Sequence, residues 1–219
     1  MSNNSYSYFA NMDKVFVCHH EAGHTTAGLI CSMVVTSVEI FREKKGVKRF
    51  GGLTKFDYIC SRDIEDIGVP DIEWELKINE IAINYAGLAA EKIFFEKVSG
   101  SKKFPGIWKE GSHLDTKFAC DLMTKYNLAN AGKERLILKK NIINNVNKLL
   151  LKHWSDVTLI AQTLFNKNIL MYSDLQKLLI SKSENKDFWR EQLKGTNKLF
   201  DLFDNDKLSP EDFKKLIKK

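Results

Sequence analysis

Apolar positions change spacing along the chain, and the changes predict its elements. From Lys14 to Met33 the chain is largely apolar, and Asp13 stands where a helix N-cap belongs, so a helix is predicted over 14–33. The stretch Val34 to Phe41 is β-branched and partly alternating, and Arg49 to Phe56 returns after a turn from Arg42 to Lys48 that contains Gly46. These two stretches predict a β-hairpin. A connector over 57–70 ends at Pro70. Asp71 then caps a long helix over 72–97, whose Ile78, Ile81, Ala82, Tyr85, Leu88, Ala89 and Phe95 recur at helical spacing.

The glycines and proline of 99–111 mark a loop. Ser112, with Asp115 three residues on, opens a helix over 113–129 as a variant capping box. Apolar stripes through 133–180 predict two or three further helices. A linker at 181–186 and two short amphipathic helices follow, the second capped by Ser209 with Pro210 at its first position. The fold class expected is mainly α, a multihelical domain with a small β-hairpin or short sheet beside the first helix. The domain occupies 1–180, and 181–219 is a helical C-terminal extension.

The first helix carries His20-Glu21-Ala22-Gly23-His24, an HExxH pattern. Residues four apart lie one above the other on a helix, so both imidazoles can reach one zinc ion. Glu21 lies about 100° further round. Its carboxylate therefore stands beside the metal, as a general base for water. His19 faces elsewhere and is not expected to be a ligand. Gly23 and Gly28 each cost about 1 kcal/mol against alanine inside a helix, and Gly23 leaves room for a substrate backbone or a packed helix.

A catalytic zinc site takes three protein ligands and keeps one position open. The metzincin pattern would place glycine and histidine where the chain has Ala27 and Ile30, so it does not apply. A carboxylate on a second helix remains, with Glu91 and Asp115 best placed and Glu39 and Glu43 weaker. The pair Gly51-Gly52 predicts a bulge or the close approach of another backbone. Gly51, Gly52 and Leu53 are the candidates for holding an extended substrate by β-augmentation, with a plain hairpin as the alternative.

The chain has 219 residues and 43% hydrophobic content, which suits a globular protein. Cys18, Cys31, Cys60 and Cys120 form no C-x-x-C pair and read as reduced thiols. The net charge is +6 and the pI about 9.0. The excess is concentrated at 42–49 and 133–152 without interleaved stacking aromatics, so it reads as solvated lysine faces, and no nucleic-acid partner is expected. Asp204-Asn205-Asp206 is too short and lacks the glycine of a calcium loop. No leader and no clean apolar span are visible, and a cytoplasmic location is expected.

Several of these segments resemble the peptidase domain of the FtsH-type membrane AAA proteases. Cys18 to His24 looks like that family's active-site helix. Val38-Glu39-Ile40 and Phe50-Gly51-Gly52-Leu53-Thr54 are similar to its two short strands. Ala86-Gly87-Leu88-Ala89-Ala90-Glu91 resembles its Gly-Gly-Arg-Ala-Ala-Glu helix, and Gly111-Ser112-His113-Leu114-Asp115 its Gly-Ala-x-Asn-Asp segment. Residues 149–180 echo its closing helices, so the likeness covers roughly 14–180. It implies that Asp115 is the third zinc ligand, with Glu91 supporting the site.

The chain departs from that family at Leu88, which replaces an arginine, and at Leu114, which replaces an asparagine. The ATPase phosphate loop is absent. The resemblance thus implies a freestanding, ATP-independent zinc metalloendopeptidase. One zinc ion is held by His20, His24 and Asp115, Glu21 is catalytic, and the substrates are peptides or unfolded proteins. Two rival readings are a catalytically idle adaptor built on a peptidase fold and a membrane-docked peptidase using its basic face.

Overall fold

A computed structural model describes residues 12–42, 50–57, 70–104, 113–128 and 132–203. In chain order the elements are α1 (Met12–Ile30), β1 (Val34–Arg42), β2 (Phe50–Asp57), α2 (Pro70–Ser99), α3 (His113–Lys125), α4 (Lys133–Lys152), α5 (Trp154–Lys167), β3 (Ile169–Met171), α6 (Tyr172–Lys182) and α7 (Lys186–Phe203). The fold is mainly helical with one small antiparallel sheet of order β2-β1-β3. Among the described residues no helix is long and apolar enough to cross a membrane.

Helix α1 is the axle of the molecule. Every residue from Val15 to Leu29 except Val17 is buried. A helix buried on all sides must be met by other elements on all sides. Its most extensive contacts are with α2, then with α5 and with the sheet. The small residues decide how closely they come. A Cβ on Gly23 would lie 2.5 Å from the Ala86 carbonyl oxygen and 2.6 Å from the Ala90 Cβ, so the α1–α2 crossing requires glycine there. A Cβ on Gly28 would lie 2.3 Å from the Phe56 ring of β2. The helix ends where Ser32 enters the left-handed region at φ 59° and the Met33 N–H bonds the Gly28 carbonyl at 2.8 Å.

The expected hairpin is present, and among the described residues β2 is an edge strand. The expected bulge lies elsewhere. The register shifts between Val35 and Ser37, whereas Gly51 and Gly52 pair regularly with Phe41 and Ile40. What presses on the glycines is side chain, not backbone. Cβ atoms there would meet the Phe41 ring at 2.7 Å and the Glu21 side chain at 2.5 Å. Strand β3 was not expected. Its three residues follow Asn168 in the left-handed region and are too short for any alternation to show. The expected cap residues Asp13 and Asp71 lie inside helices that start at Met12 and Pro70. Proline is favoured at a first helical position.

Helix α7 begins within the stretch read as an extension, after only three residues (183–185), and runs longer than the short helix expected. Its Trp189 and Leu193 are buried in the core. The Gln192 amide nitrogen donates to the Leu29 and Ile30 carbonyls at 2.9 and 3.0 Å, closing the C-terminal end of α1. The start of α7 is held by Asp156, a fully buried carboxylate. It accepts from Ser183 Oγ, from Asn185 Nδ2 at 2.9 Å, and faces His153 Nδ1 at 3.3 Å. Outside the described residues lie the polar start, Gly46 and Glu43 of the turn, most of the 57–70 connector, Gly111 and Ser112, and the Asp204–Asp206 and Ser209–Pro210 segments.

Burial pushes the Asp156 carboxyl up, but bonds from His153, Ser183 and Asn185 outweigh it and hold the group below its ordinary 3.8. A carboxyl depressed on folding stabilises the fold above its unfolded pKa, and that share is lost as pH falls through the folded value. Asp156→Ala is expected to lower unfolding free energy at pH 7 by about 2–4 kcal/mol, because it leaves buried donors unpaired. Denaturant unfolding of wild type and variant should converge as the pH is taken below 3.8.

Candidate metal centre

The centre is built from three helices. Helix α1 stacks His20 and His24 one turn apart, and α2 lies against them. Helix α3 delivers Asp115 from its first turn, where the helix dipole favours an ionised carboxylate. The Nε2 atoms of His20 and His24 are 2.9 Å apart. Asp115 Oδ2 is 2.9 Å from His20 Nε2 and 3.5 Å from His24 Nε2. Among the described residues this trio forms a group that can hold a metal ion.

The remaining ring nitrogens say which tautomers are present. His20 Nδ1 donates to Glu91 Oε1 at 2.8 Å, and His24 Nδ1 donates to the Ile83 carbonyl at 2.7 Å. A neutral imidazole that donates at Nδ1 carries its lone pair on Nε2. Both lone pairs therefore converge on one point, together with a carboxylate oxygen. Such a set is repulsive until a cation, a proton on His20 Nε2 or a metal ion, sits among its members. Burial draws the His20 pKa down, yet Asp115 and Glu91 prevail and raise it well above 6.5. The same contacts outweigh burial at Asp115 and hold its carboxyl well below the usual carboxylate range. The site thus attracts positive charge.

The donor geometry fits an ion. A tetrahedral ion with bonds near 2.0–2.2 Å sets its donors about 3.3–3.6 Å apart. The observed separations of 2.9, 2.9 and 3.5 Å need only a slight expansion to reach that. Gly87 makes the approach of α2 possible. A Cβ there would lie 2.5 Å from both Nε2 atoms. The small-residue run on α2 predicts close helix packing, and Ala86 and Ala90 do meet Gly23, but Gly87 clears the two Nε2 atoms themselves.

The other residues fall into place by distance. Glu91 supports His20 from behind, its expected position. Glu39 lies on β1, bonded to Lys55 at 2.7 Å, and Glu43 lies outside the described residues. His19 points away, with Nδ1 on the Val15 carbonyl and its ring 3.9 Å from Phe94. Burial pushes its pKa down to about 4, so it is neutral. Glu21 is buried beside the trio, and its Oε2 accepts from the Thr54 hydroxyl at 2.6 Å.

His20, Glu21, His24, Glu91 and Asp115 line a cleft of about 470 Å³. Gly51, Gly52, Leu53 and Thr54 of β2 belong to its lining, as do Leu114 and Asp115 of α3. Ile83 and Thr54 escape sequence reasoning because a carbonyl that orients a ring, and a hydroxyl that meets a carboxylate 33 residues away, leave no local spacing signal. A comparison with protein-family models and with curated proteins finds no match for the chain.

Divalent metal content of purified variants tests the centre. Asp115→Ala is expected to lose most of the metal. Glu91→Gln is expected to retain it with affinity lowered about 10- to 100-fold, the usual effect of altering a group that orients a ligand. Gly87→Ala should abolish binding through its clash with both Nε2 atoms. Retention by Asp115→Ala with loss in Glu91→Gln would make Glu91 the third ligand.

Proposed function

We propose that this chain is a zinc metalloendopeptidase related to the FtsH-type peptidase domain, acting without ATP on peptides or unfolded proteins. The observation that carries the reading is the placement of Glu21. A buried carboxylate stands next to a two-nitrogen, one-oxygen metal group, and both open onto a cleft walled by an edge strand. Two imidazoles and one carboxylate form a donor set suited to catalytic zinc. Zinc, when bound, supplies a Lewis acid that polarises a carbonyl and acidifies water.

The residues of the chain do the rest. Glu21 takes a proton from water and passes it to the leaving amine. The outer edge of β2 has no strand beside it among the described residues, so its backbone can pair with an extended substrate. Gly51 and Gly52 keep that wall low, and Leu53 is half exposed at the cleft. Asp115 on α3, directly after the exposed Leu114, supports the likeness to the family's ligand segment. A backbone must be extended and free of internal hydrogen bonds to lie along β2. Folded domains offer such segments only on local unfolding.

Glu21→Gln should keep fold and zinc but cleave a flexible peptide about 100-fold more slowly or worse. The zinc-loaded chain should degrade a casein-like substrate and a destabilised domain while sparing the stable parent of that domain. ATP should change nothing. A chelator should stop cleavage and added zinc restore it. Equal cleavage of stable and destabilised domains would refute the unfolded-substrate reading. A zinc-loaded chain that leaves casein and peptide intact would refute the peptidase reading and favour an adaptor.

A further inference from the structure

Glu21 is a long side chain with a buried end, and such a group keeps one rotamer only where something holds it. Its Oε2 accepts a hydrogen bond from the Thr54 hydroxyl at 2.6 Å. The Thr54 hydroxyl also lies 3.3 Å from the Glu21 backbone carbonyl. Thr54 itself is fixed by the sheet. It stands opposite Val38 of the central strand, which is fully buried and pairs on its other side with Leu170 of β3. Gly52, two residues earlier on the same face, removes the Cβ that would press on the carboxylate. The strand therefore offers Glu21 one open slot and one donor.

Resting on the peptidase reading above, we propose that Thr54 is a positioning residue, which holds the Glu21 carboxylate towards the cleft beside His20, His24 and Asp115. The strand that would receive the substrate then also sets the direction of the base. Two consequences separate this role from a structural one. Loss of the hydroxyl should lower kcat rather than raise KM, because the base acts on the bound substrate. The loss should also disappear once Glu21 can no longer act as a base, because the two residues work as a unit.

The test uses the full zinc-loaded chain and a flexible peptide. Thr54→Val should lower kcat about 10- to 100-fold, the scale of a misdirected general base, with zinc content and KM little changed. Thr54→Ser should restore most of the rate. Adding Thr54→Val to Glu21→Gln should cost little more than Glu21→Gln alone. Thr36→Val, which removes another hydroxyl of the same sheet away from the cleft, should leave kcat unchanged. Thr54→Ala replaces the valine variant if that one does not fold.

Crystal structures of zinc-loaded wild type and Thr54→Val give a readout independent of turnover. The variant should show Glu21 rotated away or poorly ordered. An unchanged Glu21, a retained kcat, multiplicative losses or failure of serine to rescue would overturn the proposal. An inactive wild type whose Glu21 still swings away in the valine variant would instead overturn the peptidase reading and leave the positioning role standing.

Discussion

Two imidazole lone pairs and an ionised carboxylate point at one spot in a mostly buried site, and the surrounding structure is arranged to keep them there. Without a proton or a metal ion between them, these three donors would separate. They are held by groups with no freedom to follow: the Ile83 carbonyl behind His24, Glu91 behind His20, and the start of α3 behind Asp115. The first two belong to α2. That helix comes close enough only because Gly23, Ala86, Gly87 and Ala90 are small. The geometry of the centre and the α1–α2 crossing are therefore one constraint.

The sequence makes some of this legible. The His20–His24 spacing reports a shared helix face because helical periodicity is local, and the structure brings the pair together as that spacing requires. By chemistry Asp115 is one of two best-placed candidates for the third ligand, and the resemblance favours it. Geometry places it 2.9 Å from His20 Nε2 and gives Glu91 the supporting position. The mainly helical fold with a small sheet was likewise readable from apolar spacing. What escaped was non-local. Strand β3 owes its existence to pairing with β1, not to its own three residues. Gly52 reads as a backbone feature in isolation, but in the fold it is the space that Glu21 occupies.

The C-terminal helices reach the same centre by a longer route. Asp156 gathers His153, Ser183 and Asn185 and so sets the start of α7. Helix α7 in turn buries Trp189 and uses Gln192 to satisfy carbonyls at the end of α1. The helix that carries both histidines is thus closed at its far end by residues some 160 positions away. Such contacts tie the rigidity of α1 to the packing of α7.

The glycines show how stability and chemistry oppose each other here. Gly23, Gly28 and Gly87 lie inside α1 and α2, and each costs about 1 kcal/mol of helix propensity against alanine. On propensity alone, three alanines would strengthen the two central helices. Each, however, would drive a methyl group into a different neighbour: the α2 backbone, the Phe56 ring, or the paired Nε2 atoms. The first two clashes would disturb the crossing and the sheet that carries Thr54. The third would fall on the two Nε2 atoms of the candidate centre directly. Gly87 differs from the other two because the nearest atoms to its missing methyl group are those of the two imidazoles, so the space it leaves lies at the centre itself.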